Sequence, residues 1–225
     1  MRAIWAIVPI KDLSRAKQRL SGLLSETERR ALGLAMLEDV LTALRQSRAL
    51  SGILVVTGDR DAESLSHDLG ARILPEPDAP GLNPAVASAV RLLAQEKTGG
   101  ACIVHGDAPL MKADEIDRLA AVLDTSPAMA IAPDAAGGGS NGLALSPPDL
   151  ISFHYGANSF QRHLQEAAAR GITPHVLQLP GLAFDIDAPD QLFTLAAAGG
   201  VTRAQEFLRS LRLESRTHRP AQSVR

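Results

Sequence analysis

Length, composition and charge already exclude several classes of protein. The 225 residues are enough for one large domain, and 23 basic against 25 acidic side chains give a net charge of −2, which argues against a general binder of nucleic acid or membrane surfaces. The single cysteine, Cys102, cannot form an intrachain disulfide or supply half of a structural zinc site. No signal peptide or membrane span is visible, and we expect a protein of the reducing cytoplasm.

The chain alternates short β-branched runs with longer helical patterns. Strands are predicted at 3–8, 53–57, 72–74, 101–105, 128–132 and 176–179. Helices are predicted at 25–44, 61–69, 84–95, 114–123 and 159–170, and a further helix is expected to begin near residue 189. A capping box between Ser25 and Glu28 opens the first helix, and Gly70 suits the end of the second.

This repeated strand–helix–strand order is typical of an α/β domain. We predict three layers of the Rossmann-like kind, with helices on both faces of a mostly parallel sheet. We expect a single domain over residues 1–213 and a flexible C-terminal tail over residues 214–225, with a phosphate-binding arm as the alternative for the tail. Ligands of such domains bind at the carboxyl ends of the strands, so candidate site residues should follow strands.

Residues 133–142 contain too many glycines for regular structure, and we interpret them as a loop. The letters of G-x-G-x-x-G and of G-x-S-x-G both occur there. Each motif requires a helix directly afterwards, whereas an apolar Leu-Ala-Leu run and then two prolines follow here. A dinucleotide-binding fingerprint and a hydrolase elbow at Ser140 are therefore both disfavoured.

Three aspartates give the clearest chemical signal. Asp185 and Asp187 lie on the same face of an extended segment, an unfavourable arrangement of like charges unless a cation lies between them. Asp107 follows the fourth predicted strand, where an α/β site is expected. Oxygen ligands without cysteine favour Mg²⁺, and the three together favour metal-assisted phosphoryl or nucleotidyl transfer. The alternatives are structural, with Asp187 as a helix cap and Asp107 as a turn residue.

Basic side chains follow the first predicted strand. Lys11 stands at its end, and Arg15, Lys17 and Arg19 come within the next few residues. Such donors suit phosphate groups. The alternative is a solvated loop of mixed charge.

Six blocks of sequence, taken in order, resemble a known family. They are Pro9-Ile10-Lys11 with Ala16-Lys17 and Arg19-Leu20; Gly81-Leu82-Asn83-Pro84-Ala85; Gly106-Asp107-Ala108-Pro109-Leu110; Ala132-Pro133-Asp134 with Gly139-Ser140-Asn141; Tyr155-Gly156 with Ser159-Phe160 and His163; and Asp185-Ile186-Asp187 with Pro189. Together they span most of the first 195 residues and resemble the guanylyltransferase family of coenzyme F-420 (deazaflavin) biosynthesis.

The resemblance implies both a fold and an activity. The fold is that of a glycosyltransferase-A-like nucleotidyltransferase, and the enzyme joins GTP to a small phosphorylated carboxylic acid with release of pyrophosphate. The family's acceptors are 2-phospho-L-lactate, phosphoenolpyruvate and 3-phospho-D-glycerate. The implied residues are Asp107, Asp185 and Asp187 for Mg²⁺, which with Lys11 are also the catalytic residues; Ser140, Gly156, Ser159 and His163 for the acceptor; and Lys11, Lys17 and Asn83 for GTP.

The implied chemistry needs no side-chain base. A phosphate monoester has a second pKa near 6, so the acceptor oxygen is already an anion at neutral pH. We therefore expect no proton transfer by His105, His154 or His163, and we favour a packing or acceptor-orienting role for His163 over metal ligation.

Two positions depart from the family's pattern. Ala108 stands where Leu is frequent, which affects packing only, and Ser140 stands where Thr is common, which keeps the hydroxyl but removes a methyl that could shape acceptor choice. The choice of acid, the choice of base, and a monomer or a homodimer remain open. The alternatives are another nucleotidyltransferase of this fold, using CTP or a molybdenum-cofactor precursor, and a non-catalytic nucleotide-binding regulator.

Overall fold

The computed structural model describes residues 3–13, 17–211 and 213. Its strands are β1 (Ile4–Ile10), β2 (Leu50–Thr57), β3 (Arg72–Pro75), β4 (Gly100–Val104), β5 (Ala128–Pro133), β6 (Ser140–Ser146) and β7 (His175–Val176). They form one sheet in the order β3-β2-β1-β4-β6-β5-β7. The strands from β3 to β4 are parallel, β6 is antiparallel to both of its neighbours, and β7 is parallel to β5. The predicted mostly parallel sheet is confirmed.

The α-helices of the described ranges are α1 (Glu26–Gln46), α2 (Arg60–Asp68), α3 (Leu82–Gln95), α4 (Ala113–Ala121), α5 (Ser159–Ala169), α6 (Pro189–Ala197) and α7 (Arg203–Ser210). The predicted capping box opens α1: Ser25 Oγ accepts from the Glu28 N–H at 3.3 Å, and the Glu28 carboxylate accepts from the Ser25 N–H at 2.9 Å. Gly70, with φ at +78°, follows α2 as predicted. Among the helices described, none has the length and apolar character needed to cross a membrane.

Helices cover both faces of the sheet and complete the three predicted layers. On one face α1, α2 and α4 pack on the sheet, and Leu41 of α1 lies in the same apolar cluster as Val8 of β1. On the other face α3 and α5 pack on the sheet, and Leu93 of α3 lies in the same apolar cluster as Ile7 of β1. A third apolar cluster joins α1 to α6 and α7 and includes Ile186, which is fully buried. Because Ile186 is anchored there, the two aspartates beside it are held on the opposite side of their extended segment.

The structure corrects the prediction in three places. Residues 140–142 are not loop but the start of β6, which lies between β4 and β5 with every residue buried. A central strand that is buried on both faces lacks the apolar–polar alternation by which strands are recognised. The strand predicted at 176–179 is the two-residue β7, and the sequence does not predict α7. The expected tail, residues 214–225, lies outside the described residues.

Asp59 holds the loop that follows β1. Its buried carboxylate caps α2 by accepting from the Asp61 and Ala62 N–H groups, pairs with Arg30 at 2.8 Å, and accepts from the Leu13 N–H at 3.1 Å. Burial alone would raise the pKa of Asp59, but these donors outweigh burial and lower it. The charged form of Asp59 is therefore stabilised by these donors, and its carboxylate positions Leu13, which follows β1.

We expect Asp59→Asn to lower the free energy of unfolding at pH 7 by about 3 kcal/mol, because a charged partner of buried donors is lost. A carboxylate whose pKa is lowered by folding contributes stability above its unfolded pKa, and this contribution is lost as the pH falls through the folded pKa. The deficit of the variant should therefore shrink below about pH 4. Denaturant unfolding at pH 7 and at pH 3 measures both effects.

Asp61→Asn is the matched control, since this exposed carboxylate pairs with the same arginine. Its loss should stay under about 1 kcal/mol. Equal losses in the two variants at pH 7 would show that the buried hydrogen bonds of Asp59 do not stabilise the fold.

Candidate active site

A cleft of about 980 Å³ lies at the carboxyl ends of β1 and β4. The strand order reverses between them, because the chain runs from β1 to β2 and β3 on one side and then returns to β4 on the other. Ligands of open α/β sheets bind at such a switch point. The predicted basic side chains Lys11, Lys17 and Arg19 line this cleft together with Asp107 and Asp187. Of the basic cluster, Arg15 lies outside the described residues.

The Lys17 ammonium bridges two of the three aspartates. Its Nζ donates to Asp107 Oδ2 at 2.6 Å and to Asp187 Oδ1 at 2.8 Å, and its side chain is only 10% exposed. Burial alone would lower the pKa of Lys17, but the two carboxylates outweigh burial and raise it. Burial opposes ionisation of Asp107 as well, yet Lys17 lowers the pKa of Asp107. Lys17 and Asp107 are therefore both charged at neutral pH.

Asp185 adjoins this bridge. The Asn141 side-chain amide donates to Asp185 Oδ1 at 3.1 Å, and the Ile186 N–H donates to the Asp107 carbonyl at 3.2 Å. Burial raises the pKa of Asp185, and the charges of Asp107 and Asp187 raise it further. The structure thus brings the three predicted carboxylates into one electrostatic group in which Lys17 neutralises only part of the negative charge.

The structure decides against the capping role of Asp187. The first turn of α6 is capped by Gln191, whose Oε1 accepts from the Asp187 and Ala188 N–H groups at 2.6 Å. The Asp187 carboxylate is 53% exposed and contacts Lys17 instead. Asp107 does lie in the turn after β4, but its side chain is also committed to Lys17.

The oxygen atoms of the three aspartates are of the kind that a hard divalent cation prefers. They are carboxylate oxygens, and Asp107 Oδ1 is buried without a hydrogen-bond donor among the described residues. In the part of the chain that the structure describes, no three His, Cys, Asp or Glu side chains form a ready ligand set. The place between Asp107 and Asp187 is taken by the Lys17 ammonium. Mg²⁺ binding by the three aspartates stays a prediction, and a cation between those two would displace Lys17.

Ser140, Ser159 and His163 form a second buried group. The Ser140 N–H donates to Ser159 Oγ at 3.0 Å, and Ser140 Oγ lies 2.9 Å from His163 Nδ1. Ser140 begins β6, and Ser159 and His163 lie one turn apart on α5. Gly156 precedes them with φ at +117°, a left-handed conformation that favours glycine, and its carbonyl accepts from the Ser159 N–H. The residues that the resemblance implies for the acceptor therefore adjoin one another.

Asn83 lies at the start of α3 and contacts the backbone of the neighbouring loop. Its Nδ2 donates to the Tyr155 carbonyl at 3.2 Å, and its Oδ1 accepts from the Tyr155 N–H at 2.7 Å. Both polar atoms of the side chain hold the loop that leads to Gly156. A contact between Asn83 and the nucleotide stays a prediction.

Sequence reasoning missed three residues that hold the segments of the site. Asn141 orients Asp185, as described above. Glu115 accepts from the Gly181 N–H at 2.8 Å and so anchors the segment before Asp185 to α4. Asp134 accepts from two N–H groups of the glycine-rich turn at 2.9 Å. Asp134 and Asn141 occur in the family blocks, whereas no local pattern marks Glu115.

Solved structures of similar shape define the class of the fold. One is a candidate nucleotide-diphospho-sugar transferase from Desulfovibrio desulfuricans G20, which is 15% identical with a TM-score of 0.74 and covers 96% of this chain and 99% of its own. Another is a nucleotidyl transferase from Methanothermobacter, 18% identical with a TM-score of 0.61, over 92% and 99% of the two chains. The protein therefore has the fold of the nucleotidyltransferases and nucleotide-diphospho-sugar transferases.

Sequence relatives define the family. The family described as guanylyl transferase CofC-like matches residues 4–225. A phosphoenolpyruvate guanylyltransferase from Rubrobacter xylanophilus is 37% identical over 88% of this chain and 96% of its own, and a 2-phospho-L-lactate guanylyltransferase from Methanothermobacter thermautotrophicus is 36% identical over 92% and 90%. A 3-phospho-D-glycerate guanylyltransferase from Colwellia psychrerythraea is 33% identical over 84% and 90%.

This chain belongs to the guanylyl transferase CofC-like family and is a nucleotidyltransferase enzyme. The family resemblance and the fold class stated from the sequence blocks are confirmed.

Proposed function

We propose that the protein is a guanylyltransferase that joins GTP to a three-carbon phosphorylated acid and releases pyrophosphate, as a step of coenzyme F-420 biosynthesis. The acceptor is phosphoenolpyruvate, 2-phospho-L-lactate or 3-phospho-D-glycerate. Relatives named for each of these three acids match more than four fifths of the chain at similar identity, which supports the substrate class without selecting one acid.

The observation that carries the proposal is the connection between the two groups of the site. Ser140 and Asn141 are consecutive residues at the start of β6, and their side chains reach different groups. Ser140 contacts His163, which belongs to the buried group of Ser140, Ser159 and His163. Asn141 contacts Asp185, one of the three aspartates. An acceptor on the serines would thus lie beside the cleft lined by Lys11, Asp107 and Asp187, as transfer between two ligands requires.

The reaction forms one bond and breaks one. A phosphate oxygen of the acid attacks the α-phosphorus of GTP, the bond from that phosphorus to the bridging oxygen of the β-phosphate breaks, and pyrophosphate leaves with the electron pair. The acceptor phosphate is ionised at neutral pH, so no proton has to be removed first. Catalysis then consists of alignment and charge neutralisation.

The residues of the cleft, together with Asp185 and the neighbouring serines, can supply both. Lys11 and Lys17 would donate to the phosphates of GTP, and Ser140 and Ser159 would hold the acid through their hydroxyl groups. Asp107, Asp185 and Asp187 would hold Mg²⁺, which supplies Lewis-acid neutralisation of the triphosphate charge. If a cation took its place on Asp107 and Asp187, Lys17 would be free to donate to a phosphate oxygen.

The test offers GTP and Mg²⁺ with each of the three acids in turn. We expect pyrophosphate release only when an acid is present, and a product whose mass equals that of GMP joined to the acid less one water. CTP or ATP should replace GTP poorly. Preference for CTP would indicate another nucleotidyltransferase, and GTP binding without pyrophosphate release with any of the acids would indicate a non-catalytic regulator.

A further inference from the structure

His163 is held at both ring nitrogens. Its Nε2 accepts from the backbone N–H of His154 at 2.9 Å, and its Nδ1 lies 2.9 Å from Ser140 Oγ. The side chain is fully buried, and the Tyr155 ring packs edge-on against it with centroids 5.0 Å apart. A flip of the imidazole would break both polar contacts, so its orientation is fixed by the fold.

These contacts also fix the position of the imidazole proton. A backbone N–H can only donate, so Nε2 must present its lone pair. Burial lowers the pKa of His163 to about 4; His154 and Arg162 add to this shift and Glu166 opposes it. The ring is therefore neutral near pH 7, and a neutral imidazole that lacks a proton on Nε2 carries it on Nδ1. It follows that Nδ1–H donates to Ser140 Oγ.

The direction of this hydrogen bond decides what Ser140 can do. A serine activated as a nucleophile gives its proton to the imidazole, which is the opposite direction. Among the described residues, Ser140 Oγ has His163 as its partner and no other, so an oxygen that accepts from His163 keeps its own hydrogen for a ligand. The Ser140 N–H is already engaged by Ser159 Oγ. The Ser–His contact is therefore not a nucleophile–base pair.

In a proposal that rests on the proposed function, we propose that His163 is a positioning residue that orients the Ser140 hydroxyl so that its hydrogen is donated to the phosphorylated acid. Ionised phosphate and carboxylate groups offer only acceptor oxygens, so a hydroxyl whose hydrogen is free to be donated matches them. His163 takes one of the two lone pairs of Ser140 Oγ, whereas the hydroxyl hydrogen has no acceptor among the described residues and can be donated to an anion. The Ser140–His163 pair therefore favours a group that accepts a hydrogen bond, such as a phosphate or carboxylate oxygen, at this end of the acceptor.

The first test measures the tautomer in the full-length free protein. Two-bond ¹H–¹⁵N spectra of the ¹⁵N-labelled chain should show His163 neutral and protonated on Nδ1 from pH 6 to pH 8. His154→Gln is the matched control, because the backbone N–H that faces Nε2 is retained, and the tautomer should not change. A proton on Nε2, or a charged ring in this range, overturns the inference whatever the enzyme assay shows.

The second test separates the two substrates in steady-state kinetics. His163→Phe should raise the KM for the acid about tenfold, with the KM for GTP and kcat changing by less than about twofold. His163→Asn should restore most of the loss, since its amide N–H can take the place of Nδ1–H. Because His163 acts through Ser140, the double variant Ser140→Ala/His163→Phe should be no worse than Ser140→Ala alone.

The inference would be overturned if the two substitutions raised the KM for the acid multiplicatively in the double variant, or if His163→Phe raised the KM for GTP as much as the KM for the acid. If His163→Phe does not fold, the kinetics of His163→Asn and the NMR measurement of the tautomer test the inference instead. Failure of the unmodified protein to use any of the three acids contradicts the proposed function, whereas a wrong tautomer in a protein that does use one contradicts this inference alone.

Discussion

Turnover is expected to fall by at least about a hundredfold when Asp107, Asp185 or Asp187 is replaced by Asn, while the fold is kept. Each change removes one negative charge at nearly constant size, and the charge neutralisation that a metal ion supplies to phosphoryl chemistry is worth several kcal/mol. Rates at saturating GTP and acid, over a range of Mg²⁺ concentrations, measure the effect. Excess Mg²⁺ should recover part of the rate if the loss is one of metal affinity.

Asp190→Asn is the matched control, because this exposed aspartate lies in the first turn of α6, three residues after Asp187. Its turnover should stay within about twofold of the unmodified protein, since surface changes away from a site have small effects. Turnover like that of the unmodified protein in both Asp185→Asn and Asp187→Asn would remove these residues from the metal site.

Lys17→Met should produce two opposite changes. Without nucleotide, binding of Mn²⁺ as a probe for Mg²⁺ should tighten about tenfold, because the cation that competes for Asp107 and Asp187 is gone. With GTP and the acid, turnover should drop at least about tenfold, because a donor to the phosphates is lost. Electron paramagnetic resonance of free Mn²⁺ measures the first change, and pyrophosphate release measures the second.

The two changes go in opposite directions, and this distinguishes a lysine that competes with the metal ion from a lysine with a purely structural role. A lysine needed only to keep the carboxylates in place would weaken Mn²⁺ binding and turnover together when removed. Lys112→Met, at an exposed position before α4, is the control and should change neither measurement. Weaker Mn²⁺ binding in Lys17→Met would refute the competition between the ammonium and the metal ion.

Much of the site was predictable because strand ends are predictable. The apolar runs of β1 and β4 are visible in the sequence, and the residues that follow them, Lys11 and Asp107, line the cleft of the structure. The alternation around Ile186 was enough to place Asp185 and Asp187 on one side of their segment. The six sequence blocks added the family, which the comparisons confirm.

The partners of these residues were not predictable. The Lys17 bridge reaches across 90 and 170 residues of chain, and Asn83 pairs with a backbone segment 72 residues away. The tautomer of His163 depends on an N–H that points at Nε2 only once α5 and the preceding loop are packed. Side-chain type states what a residue can donate or accept, but not which group faces it.

The sequence by itself determined the alternation of strands and helices, the capping box of α1, the family and the strand ends that carry charge. These depend on local backbone preferences and on periodicities of a few residues, which the chain displays without its fold. Only the tertiary structure decided that Ser140 begins a central strand, that Lys17 lies between two aspartates, and that His163 contacts Ser140. Those contacts join residues far apart in the chain, and they are set by how the sheet and the helices pack, a property that no local pattern encodes.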